Sequence, residues 1–361
     1  MAGNPGVRSF AAALCVLLGT ILVFAALALG CFIYFNSPPG KVPVFAAEDT
    51  TLRLDESGAV RLELRQGESV RSVGQRMESA GIIRSRHFWE LLSRLNRGEH
   101  LKAGTYSFSL PATQLEIRSL LVSGRQILLR VTLPEGVTLK KTAQILAEAG
   151  VCAASDFLAA ASDPEILDAY RAPGATLEGY LYPDTYLFPE GYPANLVVKA
   201  MADTFFKRLA EIQPDSLALS PAELNKRIIM ASIVEREYRV DEEAPLMAGV
   251  FYNRLRIGMA LQSCATVEYV ITEIQGRPHP ERLYERDTEI RSPYNTYLVP
   301  GLPPGPISAP GTVALNAAFN PAPSDYLYFR LVNPAEGRHY FSQTLDDHIR
   351  AGALYVKARS R

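Results

Sequence analysis

A carboxyl group that gives up a proton near neutral pH needs a dry setting, and this 361-residue chain places one glutamate accordingly. Pro221-Ala222-Glu223 opens a predicted helix running to about Tyr238, with Ser220 as N-cap and Pro221 at the first helical position. On a helical wheel Leu224, Ile228, Ala231 and Glu235 share one face, spaced four, three and four. Glu235 therefore falls in an apolar stripe, where loss of hydration penalises its charged form and raises its pKa. That is the requirement for a general acid at a glycosidic oxygen. The structural alternative is an ion pair, for which Arg254 or Arg256 is available. Glu237 is turned about 200° away, and with Asp241, Glu242 and Glu243 at the polar exit it is expected to be solvated.

Other groups are less suggestive of chemistry. Tyr294, Asn295, Thr296 and Tyr297 combine flat apolar faces with hydrogen-bonding tips, which suits sugar rings and N-acetyl groups; the alternative is a buried turn. Glu178 is either structural or a partner of the acid, and Asp184 after Pro183 reads as a turn residue. The proline- and glycine-rich run from Pro300 to Gly311 lacks GK[ST], so it is a rigid wall rather than a phosphate loop. Cys15, Cys31, Cys152 and Cys264 supply no CxxC site, and the five histidines no HExxH spacing; neither a metal nor any other cofactor is expected. The 37 basic and 38 acidic residues nearly cancel, which gives no electrostatic case for binding nucleic acid.

The elements that must carry these residues begin with a membrane segment. Phe10 to Phe35 is uncharged over 26 residues, with only Gly19, Thr20 and Gly30 outside the apolar set. A hydrocarbon core takes about 20 residues to cross, whereas a cleaved signal has an apolar core of about 7–15. Arg8 and the amino terminus before the run, with Lys41, Glu48 and Asp49 after it, give a small charge bias for an inside amino terminus. A lipoprotein signal at Cys31 is the alternative anchor. Ser37-Pro38-Pro39-Gly40 to about Thr50 reads as an extended linker that lifts the following domains off the bilayer. Val60–Leu64 alternates as a strand, Val70–Ala80 and Ser85–Leu95 have helical spacing, Gly104–Phe108 returns as a strand, and Gln114–Val122 is a helix. This order resembles a LysM-like module, a small fold that often contacts N-acetylated sugars; a spacer without ligand is the alternative. Leu128–Leu133 is another strand, and Pro134-Glu135-Gly136-Val137-Thr138 delivers the chain into a helix over Leu139–Ala149.

Several long motifs then point to one family. Ile228-Ile229-Met230-Ala231-Ser232-Ile233-Val234-Glu235-Arg236-Glu237 and Val250-Phe251-Tyr252-Asn253-Arg254-Leu255-Arg256-Ile257-Gly258-Met259 resemble the MltG/YceG-like endolytic murein transglycosylases. So do Ser292-Pro293-Tyr294-Asn295-Thr296-Tyr297, Gly301-Leu302-Pro303-Pro304-Gly305-Pro306-Ile307, Leu177 to Tyr186, Asn320-Pro321-Ala322, Tyr326-Leu327-Tyr328-Phe329 and His339-Tyr340-Phe341. The resemblance runs from about Leu128 to His348. It implies cleavage between N-acetylmuramic acid and N-acetylglucosamine, with Glu235 protonating the leaving oxygen and the muramic C6 hydroxyl closing on C1 to give a 1,6-anhydro end. The same carboxylate then serves as base. An internal attacker removes the need for the second carboxylate of an ordinary glycosidase. One departure stands out: where the family usually has Asp followed by Pro or Ala after Gln262-Ser263, this chain has Cys264-Ala265. A nucleophilic Cys264 would need a basic partner that the sequence does not identify. Gln262 and Thr266 are candidate contacts for substrate hydroxyls and acetamides.

The expected fold class is α+β, in the order cytoplasmic N-terminus (1–9), transmembrane helix (10–35), linker (36–50), LysM-like module (51–125) and YceG-like catalytic domain (126–361). The expected site is Glu235 as acid and base, with Glu178, Gln262, Thr266, Tyr294, Asn295, Thr296 and Tyr297 binding substrate. The expected location is the bacterial inner membrane, single-pass, with the catalytic domain periplasmic. The expected partners are peptidoglycan glycan strands, the membrane through the N-terminal helix, and peptidoglycan synthases or division proteins. A non-catalytic wall-binding or division-scaffold protein and a water-using hydrolase are the competing functions.

Overall fold

The computed structural model describes residues 5–45, 51–55, 57–96 and 98–359. Residues 1–4 of the expected cytoplasmic N-terminus, 46–50 of the expected linker and 360–361 of the expected catalytic domain lie outside the described residues. The architecture is mixed α+β and divides into two compact units, Met1–Leu128 and Leu129–Arg361, each with its own apolar core.

The first unit contains α1 (Pro5–Asn36), β1 (Leu52–Leu54), β2 (Val60–Leu64), α2 (Val70–Ser79), α3 (Arg86–Leu95), β3 (Gly104–Phe108) and α4 (Gln114–Ser123). Within α1, the 24-residue stretch Ala13–Asn36 has a mean hydropathy of 2.7, so the helix is long and apolar enough to cross a membrane. The strands form an antiparallel sheet in the order β1-β2-β3, with Leu62 opposite both Leu52 and Tyr106. Alternation on β2 buries Val60, Leu62 and Leu64 against the helices. Pro38 and Pro39 cannot continue α1, and its last turn packs on the module instead of leading into a free spacer. Phe32 and Phe35 meet Phe88 at ring separations of 5.5 and 6.0 Å, and Asn36 Oδ1 accepts from the Leu115 backbone at 3.0 Å. The following segment runs back along the same unit, where Arg84 donates to the Pro38 carbonyl and Val44 N–H to that of Ala80.

The second unit is built from β4 (Leu128–Thr132), α5 (Leu139–Glu148), α6 (Ala154–Ala160), α7 (Pro164–Ala169), β5 (Thr185–Pro189), α8 (Ala194–Ile212), α9 (Pro221–Glu235), α10 (Ala244–Arg256), α11 (Cys264–Tyr269), α12 (Thr312–Phe319), β6 (Tyr328–Asn333), β7 (Arg338–Ser342) and α13 (Leu345–Arg359). Its strands form two small pairs, β4-β5 and the antiparallel β6-β7. The core centres on α9, whose residues from Ile228 through Val234 are all buried. A helix apolar on every side must be surrounded; α10 and α12 pack directly on it, and α8 contributes to the same core. The Phe251-Tyr252-Asn253-Arg254 motif on α10 acts as a staple. Tyr252 donates to the Ala318 carbonyl, Asn253 to those of Ser324 and Tyr326, and buried Arg254 to those of Leu261 and Leu327.

The core of the first unit carries a test of its packing. Trp89 is buried, its Nε1 donates to the Val70 carbonyl at 3.0 Å, and a Cβ on Gly74 would stand 2.7 Å from the indole Cδ1. Gly74→Ala gains about 1 kcal/mol of helix propensity, but overpacking costs typically 1–3 kcal/mol. The substitution is expected to destabilise the unit by about 1–2 kcal/mol. Trp89 is the chain's single tryptophan, so denaturant unfolding followed by its fluorescence measures the change; a higher midpoint would show that the helix absorbs the methyl group.

Candidate active site

Ser220 caps α9, accepting from the Glu223 N–H at 3.2 Å, and Pro221 occupies its first turn. The helix stops at Glu235, three residues short of the sequence expectation. Its last amides tighten to i→i+3 bonds, Arg236 to Ile233 and Glu237 to Val234. Glu235 is therefore the last helical residue leaving a fully buried segment, and its environment comes from the exit of the core rather than from one stripe.

Neither arginine offered by the sequence pairs with Glu235: Arg254 serves the two carbonyls already described. The Glu235 partner is backbone. Gly311 N–H, at the N-cap of α12, donates to Oε2 at 2.9 Å. Burial pushes the Glu235 pKa up to about 8; the Gly311 bond opposes this, and the Glu135 and Asp241 carboxylates add to it. The group thus holds a proton at neutral pH. Two backbone bonds fix the loop beneath it, Gly136 to the Ala309 carbonyl at 2.9 Å and Ala309 to the Val137 carbonyl at 2.8 Å. Ser232 ties the proline-rich wall to α9, its Oγ accepting from Ile307 N–H and its carbonyl accepting from Ser308 Oγ.

Glu178 is 8% exposed and lies over the start of α5, both its oxygens accepting from Leu139 N–H at 3.0 Å. Burial raises its pKa to about 8 despite that bond. It reaches toward Tyr269, whose ring lies 5.1 Å from that of half-buried Tyr294. Asn295 is fully buried, donating to the Thr288 and Ile290 carbonyls at 2.8 Å. Thr296 and Thr266 are also buried and bond each other at 2.9 Å, while Thr296 Oγ1 accepts from Ser263 N–H. As folded, these three side chains shape a turn, and their polar groups are engaged within the protein. Gln262 is exposed at a φ of +50°, a left-handed conformation that costs energy in a non-glycine residue, and its N–H is held by the Thr296 carbonyl. Tyr297 is half-buried, its hydroxyl 3.2 Å from Cys264 Sγ. Burial raises the Cys264 thiol, which leaves it a poor nucleophile. Among the described residues, none of the seven expected substrate contacts hydrogen-bonds Glu235.

Two carboxylates depart from the sequence reading. Glu237, expected in solvent, is partly buried, accepts from Ser263 Oγ at 2.5 Å, and has its pKa raised by burial. The wheel misplaces it because the helix has already ended. Glu135, passed over as part of a turn, points at the same backbone as Glu235; the signal was a carboxylate beside Gly136 in a strand-to-helix loop, a common location for functional groups. Among the described residues no cluster of three or more metal-ligating side chains occurs.

The chain is similar to known proteins over most of its length. The chain belongs to the YceG-like family, whose sequence model matches residues 62–353. It is similar to an endolytic murein transglycosylase of Streptococcus pneumoniae strain R6, 29% identical over 339 residues and covering 86% of this chain and 61% of that protein. A protein of the same name from Bacillus subtilis strain 168 is 27% identical over 322 residues, covering 85% of this chain and 87% of its own. The chain spans about three fifths of the pneumococcal relative. A crystal structure of a yceG-like protein from Listeria monocytogenes superimposes with a TM-score of 0.54 at 32% identity, covering 81% of this chain and 98% of that one.

The raised Glu235 pKa has a stability consequence. Between an ordinary carboxyl pKa near 4.5 and the folded value of about 8, the folded state binds more protons than the unfolded state, so stability falls as pH rises across that window. Glu235→Gln keeps the Gly311 bond and carries no charge. It is expected to unfold at a higher temperature than the parent, with an advantage that grows from pH 5 to pH 8 to the order of a few kcal/mol. A pH-independent difference in thermal unfolding would show that Glu235 is not held protonated.

Proposed function

We propose that the chain is a membrane-anchored peptidoglycan lytic transglycosylase in which Glu235 is the general acid. The observation that carries this reading is the buried, backbone-held Glu235 carboxyl, with its pKa raised to about 8, at the end of the buried segment of α9. Glu235 gives its proton to the oxygen leaving C1 of N-acetylmuramic acid. The C6 hydroxyl of the same sugar closes on C1, so the product carries a 1,6-anhydro ring and no water is consumed. The names of the pneumococcal and Bacillus relatives support a murein substrate.

The remaining assignments follow from that reaction. Helix α1 anchors the chain as a single pass, with the catalytic unit outside the cytoplasm where glycan strands are made; synthases and division proteins are the natural neighbours. The β2-α2-α3-β3 order supports a LysM-like module that contacts N-acetylated sugars. Tyr294, Tyr297, Gln262 and Glu178 line the approach of the glycan, with Asn295, Thr296 and Thr266 holding the turn that presents them. Cys264 replaces the usual aspartate without taking over its chemistry.

The test is to incubate the full chain in detergent with uncross-linked glycan strands and determine the new ends by mass spectrometry. Anhydromuramic ends are expected; reducing ends would identify a hydrolase, and intact strands a binding or scaffold protein. Glu235→Gln is expected to lower turnover by about 10²–10⁴-fold, and a variant with full activity would remove Glu235 from its role.

A further inference from the structure

The loop between β4 and α5 brings a second carboxylate to the reaction centre. Glu135 is exposed, yet its carboxyl lies directly on Gly311: any side chain at that position would collide with Glu135 Oε1, Cδ and Cγ. The φ of Gly311 is −85°, open to every residue type, and the atoms that crowd it are the carboxyl end of the exposed Glu135 side chain. The same Gly311 gives its N–H to Glu235 Oε2 at 2.9 Å. With one backbone bond of about 1.5 Å between the two contact points, the carboxyl groups lie within about 8 Å of each other. Gly136, the next residue, backs onto Glu235, where an added Cβ would stand 3.7 Å from Cγ.

Of the two carboxylates whose charge acts on Glu235, Glu135 and Asp241, Glu135 is the one in contact with Gly311, and among the described residues neither has a structural task. Glu178 holds the start of α5, Glu237 binds Ser263, Glu243 binds His339 and Glu268 binds Arg236. Among the described residues no hydrogen bond or ion pair engages the Glu135 carboxyl, although backbone bonds on both sides of residues 136 and 137 fix the loop that carries it. A charged group left unpaired by the protein and aimed at a reacting centre is available to substrate.

We propose that Glu135 is the catalytic base of the cleavage, a role that rests on the transglycosylase reading above. The bond from C1 to the departing oxygen breaks as Glu235 protonates that oxygen. The bond from O6 to C1 forms as Glu135 takes the O6 proton. The two carboxyl groups end with exchanged protonation, and one proton passed back from Glu135 to Glu235, directly or through solvent, restores the resting state. Separate acid and base spare Glu235 from reversing its role within one event. The negative charges of Glu135 and Asp241 both favour a protonated Glu235; the Tyr238 phenol and the Gly311 N–H are the other polar groups acting on it.

The experiment uses the full chain in detergent, uncross-linked glycan strands, and counting of anhydromuramic ends across pH. Glu135→Gln is expected to lower kcat by about 10²–10⁴-fold with little change in KM, and to move the alkaline limb of the pH profile downward as Glu235 loses a neighbouring charge. Glu135→Asp recovers part of the rate, and added formate restores turnover to Glu135→Ala, which a misfolded variant would not show. A Glu135→Gln protein with wild-type kcat and pH profile, or a Glu135→Ala protein that formate leaves inactive, overturns the proposal while the transglycosylase reading stands. A wild-type chain that yields no anhydro ends overturns both.

Discussion

The desolvation of one carboxyl group at the end of α9 is the constraint around which the second unit is arranged. A carboxylate leaving a fully buried helix would ordinarily find an arginine or move into water. Here the last residue of α9 meets the first amide of α12, and a single backbone N–H is too weak a partner to offset the loss of hydration. The proton therefore remains on Glu235. Holding this arrangement requires that α9 and α12 keep their spacing, which the surrounding apolar core and the Ser232 bonds to the wall at Ile307 and Ser308 provide.

Motifs that look catalytic in the sequence divide into working and supporting parts on this basis. The arginine and asparagine of α10 are directed at carbonyls and tie loops together. Asn295 and Thr296 serve a buried turn, and His339 is locked to Glu243 at 2.8 Å. Each satisfies buried polar groups that would otherwise destabilise the fold. These residues govern the shape of the loops that carry them, whereas Glu235 is held by a backbone N–H and Glu135 and Gln262 are exposed.

Much of the local structure was legible from sequence because it rests on short-range rules. The strands at Val60–Leu64 and Gly104–Phe108 coincide with the alternation that predicted them, and the helices of the first unit fall within a residue or so of their spacing. The Ser220 and Pro221 signals opened α9 where expected, and a length of unbroken apolar residues identified α1 without reference to any partner. The segment after α1, expected as an extended linker, is bonded to the first unit at Pro38 and Val44, partners that meet only in three dimensions.

Sequence by itself determined that Glu235 enters the core, since a helix of consecutive apolar residues has to be buried and carries its last residue with it. It did not determine what Glu235 meets there. The wheel offered Arg254, Arg256 and a solvated Glu237, whereas tertiary packing supplied Gly311 N–H, turned the arginine to carbonyls and buried Glu237 behind Ser263. Glu135 and Gly311 are 176 positions apart in the chain, and no periodicity links them. Their contact exists only because the β4–α5 loop and the approach to α12 are hydrogen-bonded together, and proximity created by long-range backbone pairing leaves no imprint on local sequence pattern.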